Sequence, residues 1–400
     1  MTAMDRRDLL RLGAAAPLVV AGRAWAVPQA STRLLVVFLR GAYDAANVVI
    51  PVGSGFYYEA RPNIRIARPD PADPNSALAL DADYALHPAL KDTVYPLWKK
   101  GQIAFVPFAG VGDDLSRSHF ETQDAIELGQ PVQGSRDYRS GFLARLHGQL
   151  TGRAQPIAFT DAMPLSFRGG QPVPNISVVG LGAAGVDEKR AALIQQMYQG
   201  QPLAGSVAEG FAMRQEVAQA LSTEMAMANR GAVSSKNFEL GARRIGRLMR
   251  SSYNLAFVDV GGWDTHINQG AAEGFLSGRL KELGAGLAGF ADEVGPEAWN
   301  DTVVVVVSEF GRTFHENGDK GTDHGHGSVY WVLGGGIKGG RIAGEQVKLA
   351  PETLNESRDY PVLTDYRALL GGLFQRLYGL DQGRLQAVFP KAAPKDLQIV

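Results

Sequence analysis

The chain of 400 residues contains no cysteine. That excludes disulfide staples, thiolate metal sites and cysteine nucleophiles at once. Charge is scarce as well: Asp, Glu, Lys and Arg make up 20% of the residues, and the formal net charge is −1. Such a balance does not fit a disordered polyelectrolyte, nor a protein held to nucleic acid by a basic face. No apolar run is long enough for a membrane-spanning helix, which needs about 20 residues. The G-x-S-x-G elbow of the serine esterases is also missing.

What is abundant is glycine, 48 residues in all, or about 12% against an average of about 7%. The excess belongs in tight loops, where ligand sites tend to lie. The apolar fraction of 45% supports a sizeable core. Residues 1–26 read as a secretory address, with Arg6-Arg7 before a short apolar stretch and Ala24-Trp25-Ala26 at its end. The paired arginines make it a twin-arginine signal, and the expected location is periplasmic or otherwise extracytoplasmic. Residues 27–400 then form a single domain.

Five continuous apolar runs mark strands buried on both faces: Leu34–Leu39, Ile103–Phe108, Leu255–Val260, Val303–Val307 and Val329–Leu333. Helical patterns lie between them, over 89–99, 119–128, 142–150, 207–250 and 271–294. This alternation predicts an α/β fold with a largely parallel central sheet flanked by helices. Residues 153–206 read as an irregular insertion or cap, and the glycines of 334–340 as a hairpin turn.

Groups capable of chemistry recur just past the strand ends, where an open parallel sheet binds its ligands. Asp44 follows the first strand, Ser116-Arg117-Ser118-His119 the second, Asp264-x-His266 the third and Glu309 with Arg312 the fourth. Asp323-His324-x-His326 lies in the loop leaving the fourth. Carboxylates and imidazoles without thiolate suit zinc, manganese, iron or cobalt better than calcium or magnesium. Asp264, His266, Asp323, His324 and His326 are therefore candidate metal ligands. Ser116 is placed to cap the helix opening at residue 117, and Ser118 to lie in its first turn with free N–H groups nearby. Beside a metal, a serine there could attack a phosphorus or sulfur centre. His119 could orient it or bind metal, and Arg117 and Arg312 could clamp an oxyanion.

The segments LRGAYDAANVV, SRSHFETQDAIELG, GGWDTH, SEFGRT and GTDHGHG, with the twin-arginine start, resemble the bacterial domain-of-unknown-function family 1501. That family is placed in the alkaline phosphatase/sulfatase superfamily. The resemblance implies a two-metal hydrolase of small anionic phosphate or sulfate esters with Ser116 or Ser118 as nucleophile. It further implies Asp44 as a ligand of one metal, and Asp264, His266 and His324 or His326 around the other. Glu309-Phe310 stands where the superfamily has Asp-His; Glu309 can still ligate, whereas Phe310 cannot. The alternative is a non-catalytic metal- or anion-binding protein of the periplasm or cell surface. The partners implied are the ester substrate and the twin-arginine machinery, without nucleic acid.

The export reading has a direct check. Because the pair is read by a receptor and not by charge alone, Arg6→Lys with Arg7→Lys should leave precursor in the cytoplasm. Normal delivery of the double variant in a fractionation experiment would overturn it.

Overall fold

A computed structural model describes residues 32–133, 135–150, 152–176, 233–234 and 238–400. The signal segment, residues 177–206 and most of 207–237 lie outside the described residues. In chain order the elements are β1 (Arg33–Leu39), β2 (Val49–Ile50), α1 (Gly55–Ala60), β3 (Leu78–Ala79), β4 (Ala85–Leu86), α2 (Val94–Lys99), β5 (Ile103–Gly110), α3 (His119–Leu128), α4 (Phe142–Gln149), β6 (Pro156–Phe159) and β7 (Val233–Ser234). There follow α5 (Phe238–Ser251), β8 (Leu255–Gly261), α6 (Phe275–Val294), α7 (Pro296–Asn300), β9 (Thr302–Ser308), β10 (Ser328–Leu333), β11 (Arg341–Ile342), β12 (Thr364–Asp365), α8 (Tyr366–Tyr378) and α9 (Gln382–Val388).

The five strands expected from apolar runs form the middle of one sheet, in the order β11-β5-β10-β9-β1-β8-β6. Their continuous hydrophobicity has a direct cause. Side chains alternate across a strand, and Leu35, Val37 and Leu39 of β1 pack with α2, α5 and α6 on one face. Leu34, Val36 and Phe38 pack with α3, α4, α8 and α9 on the other. The result is a three-layer α/β/α architecture. A smaller sheet, β2-β4-β3, lies on a third apolar cluster with α1.

Three expectations are corrected. Residues 153–206 do not begin as a cap: β6 joins the main sheet, parallel to β8. As an edge strand it tolerates Pro156 at its first position. The helical stretch drawn from 207 is interrupted, since β7 also pairs with β8 and the described helix spans only Phe238–Ser251. The glycines of 334–340 do not make a hairpin. β10 and β11 both pair with β5, from opposite sides, so the segment crosses the end of that strand.

One strand departs from the parallel majority. β10 is antiparallel to both β5 and β9, whereas β9, β1 and β8 run parallel. The carboxyl ends of β1, β5, β8 and β9 therefore share an edge with the start of β10. The long loop 309–327 leaves and re-enters the sheet at that edge, and so reaches the loops after β1, β5 and β8.

Candidate metal centre

Glu309, fully buried at the end of β9, gathers the surrounding elements. Its Oε1 accepts from the Gly41 N–H at 2.7 Å, from Gln123 Nε2 at 2.9 Å and, at 2.8 Å, lies against His119 Nδ1. Its Oε2 accepts from the Ser308 hydroxyl at 2.9 Å. Gly41 is required here: its φ is +114°, and a Cβ would come within 2.7 Å of the Asp264 nitrogen. The loop after β1 can thus lie directly on the loop after β8.

His119, Gln123 and Glu127 recur every fourth residue, on the buried face of α3. Arg40, just after β1, reaches Gln123 at 2.9 Å, Glu127 at 2.7 Å and Asp259 of β8 at 2.6 Å. This buried network ties the start of α3 to the carboxyl edge of the sheet, and unpaired members would be costly there.

Three imidazoles meet at that edge. His324 Nε2 lies 3.0 Å from His119 Nε2 and 3.1 Å from His266 Nε2. In each ring the other nitrogen is held from behind: His119 Nδ1 by Glu309 at 2.8 Å, His266 Nδ1 by Asp323 at 3.2 Å and His324 Nδ1 by the Arg117 carbonyl at 3.1 Å. A ring that donates its Nδ1–H leaves an Nε2 lone pair facing forward, the arrangement metal-ligating histidines use. Asp264 completes the set. Its Oδ1 bonds Arg312 and lies 2.9 Å from His266 Nε2. Its Oδ2 is buried without a hydrogen-bond partner, 3.7 Å from His119 Nε2. Ligand atoms of His119, Asp264 and His324 all lie within 4.8 Å of one another. A tetrahedral ion with bonds near 2.0–2.1 Å sets its nitrogen ligands roughly 3.3 Å apart, so the donor set fits a metal.

The remaining predicted residues take other places. Asp44 is absent from the cluster, because Arg61 bonds both of its oxygens. Glu309 and Asp323 stand behind His119 and His266 as acceptors. His326 is buried away from the three rings, facing Asp114 and Arg117. Every nitrogen of Arg312 is engaged: Nε with the Ala42 carbonyl, Nη1 with Thr322, Nη2 with Gly41 and Asp264. Arg117 is drawn to Glu356 at 2.5 Å and Asp359 at 3.4 Å. The helix cap expected at Ser116 is Ser118, whose hydroxyl accepts from the Glu121 N–H. Arg117, with φ of 53°, stands outside the helix. Ser118 thus directly precedes His119. Phe310 is an apolar wall, its ring centroid 4.8 Å from that of His119 and 5.2 Å from that of His324.

Sequence reasoning did not include Gln123, Glu127, Arg40 or Asp259. The four-residue spacing of His119, Gln123 and Glu127 on a helix was the available signal.

Charge follows this geometry. Burial raises the Asp264 carboxyl, but Arg312 and three imidazoles hold it far below the usual range. Burial lowers His324, and the charges of Arg312 and His119 add to that. Burial also lowers His119, yet Asp264 and Glu309 outweigh it and push this imidazole up to about 9. Glu309, raised by burial, is brought down to about 2 by His119 and Gln123. In metal-free protein the pair therefore contributes most between pH 4.5 and 6.5, the ordinary values of the two groups. Its contribution is lost as pH rises through about 9 or falls through about 2. Urea unfolding of chelator-dialysed protein should show roughly 3 kcal/mol less stability at pH 9.5 than at pH 6. His119→Gln should flatten that alkaline slope; an unchanged slope would contradict the pairing.

No curated protein matches the sequence. Among solved structures, the chain is similar to a protein of the alkaline phosphatase superfamily from Vibrio parahaemolyticus. The identity is 12% and the TM-score 0.38, over 91% of this chain and 78% of that one. It is similar also to the lipoteichoic acid synthase LtaP from Listeria monocytogenes, at 8% identity and TM-score 0.42 over 92% and 76% of the two chains. For BT1596, a 2-O GAG sulfatase, the figures are 11%, 0.40, 91% and 75%. Residues 31–389 match the family described as "Protein of unknown function (DUF1501)", and the chain belongs to that family.

Proposed function

We propose that this protein is an exported, metal-dependent hydrolase of phosphate or sulfate esters. The observation that carries the reading is the convergence of three Nε2 atoms, each ring anchored through Nδ1, beside the unpartnered Oδ2 of Asp264. His119, His266, His324 and Asp264 would hold the ion, of the zinc, manganese, iron or cobalt class. When bound, the ion supplies Lewis-acid polarisation and lowers the pKa of a nearby hydroxyl.

The chain's own residues supply the rest. Ser118, half-buried before His119, is the proposed nucleophile. Its hydroxyl oxygen accepts from the Glu121 N–H, which leaves the O–H proton free to pass to solvent. A bond then forms from Oγ to phosphorus or sulfur as the bond to the ester oxygen breaks on the opposite side. That oxygen leaves with a proton from solvent, and water then attacks the same centre, breaking its bond to Oγ and freeing Ser118. The positive end of the α3 dipole, which starts at His119, favours the negative charge of the ester. Phe310 keeps water from one side of the rings. Asp323 and Glu309 fix the tautomers of the imidazoles they touch.

A second reading, non-catalytic metal or anion binding, draws on one observation: Arg312 and Arg117 are occupied by protein acceptors. Turnover separates the two. Metal-replete protein should hydrolyse at least one of p-nitrophenyl phosphate, bis(p-nitrophenyl) phosphate and p-nitrophenyl sulfate. Activity should vanish with a chelator and return with Zn²⁺ or Mn²⁺. Ser118→Ala should lower turnover at least about a thousandfold, while losing about 1 kcal/mol of stability with the cap. Dependence on Ser116 alone would move the nucleophile there. Independence from both serines would point to attack by water, and no hydrolysis at all would favour the second reading.

A further inference from the structure

The resemblance implies a second metal bound through Asp44, and the residues present do not fit one. We propose that the centre takes a single ion per chain, and that fixed guanidinium groups, Arg61 on Asp44 and Arg312 on Asp264, stand where a second ion would need ligands. The inference rests on the metal reading of the site and concerns its composition.

Asp44 is 1% exposed and has no open oxygen. Oδ2 takes Arg61 Nη1 at 2.5 Å and Gln269 Nε2 at 2.6 Å, and Oδ1 takes Arg61 Nη2 at 3.0 Å. Arg61 in turn has nowhere to go. It is fully buried, and its remaining N–H groups reach the Phe314 carbonyl at 2.7 Å, Asn47 Oδ1 at 3.0 Å and the Thr313 carbonyl at 2.9 Å. The rings of Tyr57 and Phe314 face its guanidinium at 5.8 and 5.7 Å. A divalent ion at Asp44 would have to displace a bidentate pair and leave a cation unpaired inside the protein, a heavily penalised arrangement.

Asp264 tells the same story from the other side. A carboxylate that gives one oxygen to each of two ions needs both oxygens open. Here Oδ1 is taken by Arg312 and only Oδ2 is open. Glu309 is also spent, on Gly41, Gln123, His119 and Ser308. Phe310 offers no ligand atom. The two guanidinium groups are held by the same pair of segments: Arg312 bonds carbonyls at residues 41 and 42, while Arg61 bonds carbonyls at 313 and 314 beside Asp44. The donors left over are His119, His324 and a carboxylate oxygen of Asp264, which lie close enough for one ion. His266 Nε2, 3.1 Å from His324 Nε2, completes a tetrahedral set once it is released from Arg312 Nη1 at 3.4 Å.

Metal counting tests this on the full chain. Chelator-stripped protein is reloaded with Zn²⁺ or Mn²⁺, freed of excess, and analysed for metal per chain and by electron paramagnetic resonance. One ion per chain is expected, with the manganese spectrum of an isolated ion. His324→Ala should weaken Mn²⁺ binding at least tenfold, whereas folded Asp44→Asn should still bind one ion. Two ions per chain, or an exchange-coupled manganese pair, would overturn the inference while leaving a metalloprotein. Loss of the ion in folded Asp44→Asn would overturn it too, because the ion would then sit on Asp44. No bound ion in the wild-type protein would overturn the metal reading itself and this inference with it.

Discussion

A single buried carboxylate, Glu309, sets the geometry on which the site depends. It joins the loop after β1 through Gly41, the start of α3 through His119 and Gln123, and the end of β9 through Ser308. Four hydrogen bonds on one desolvated anion leave little freedom, since each partner lost would strand a buried polar group. His119 is thereby turned so that Nε2 faces the other imidazoles. The Arg40 network beneath it keeps α3 seated while the loops around it supply the remaining groups.

Charge is arranged on the same plan. Five buried acids around the site have a basic partner: Asp259 and Glu127 share Arg40, Asp44 has Arg61, Asp264 has Arg312, and Glu309 has His119. Two carboxylate oxygens within this set keep no hydrogen-bond partner, Asp259 Oδ1 and Asp264 Oδ2, and only the second lies beside the imidazoles, 3.7 Å from His119 Nε2. Buried carboxylate oxygens are normally satisfied, and the nearest groups able to balance this one are imidazole nitrogens already facing one another. A cation resolves both problems with one contact set. The glycines of the 321–327 loop serve this crowding: at Gly321 a Cβ would meet the His266 carbonyl at 2.1 Å, and at Gly325 the Arg312 carbonyl carbon at 2.6 Å.

The framework was legible in the sequence where burial was complete. β1, β5, β8, β9 and β10 carry apolar residues at nearly every position because both faces are covered, and α3 ends at Gly129, which adopts the left-handed conformation that glycine favours. The short edge strands β6, β7, β11 and β12 were not legible, since two to four residues give no period to read. The direction of β10 was also hidden, because an apolar run reads the same either way. A hint did exist: residues 309–327 lack a helical pattern, and a parallel neighbour would have needed a crossover. In the site, Asp264, His266 and His324 were visible as clusters past strand ends. The fate of Asp44 was not, because its pairing with Arg61 crosses an irregular stretch where spacing carries no information. Glu309 and Asp323 were recognised as important groups, but sequence could not say whether they face the centre or stand behind its imidazoles.

The central claim is that the converging nitrogens of His119, His266 and His324 and the open oxygen of Asp264 form one metal centre. The most direct test is a crystal structure of zinc-loaded protein with anomalous scattering recorded at the zinc edge. The account predicts one strong anomalous peak about 2.0–2.2 Å from the three Nε2 atoms and Asp264 Oδ2, with Arg61 still on Asp44. A peak on Asp44, or coordination through Nδ1 with the rings turned away from Glu309, Asp323 and the Arg117 carbonyl, would contradict it.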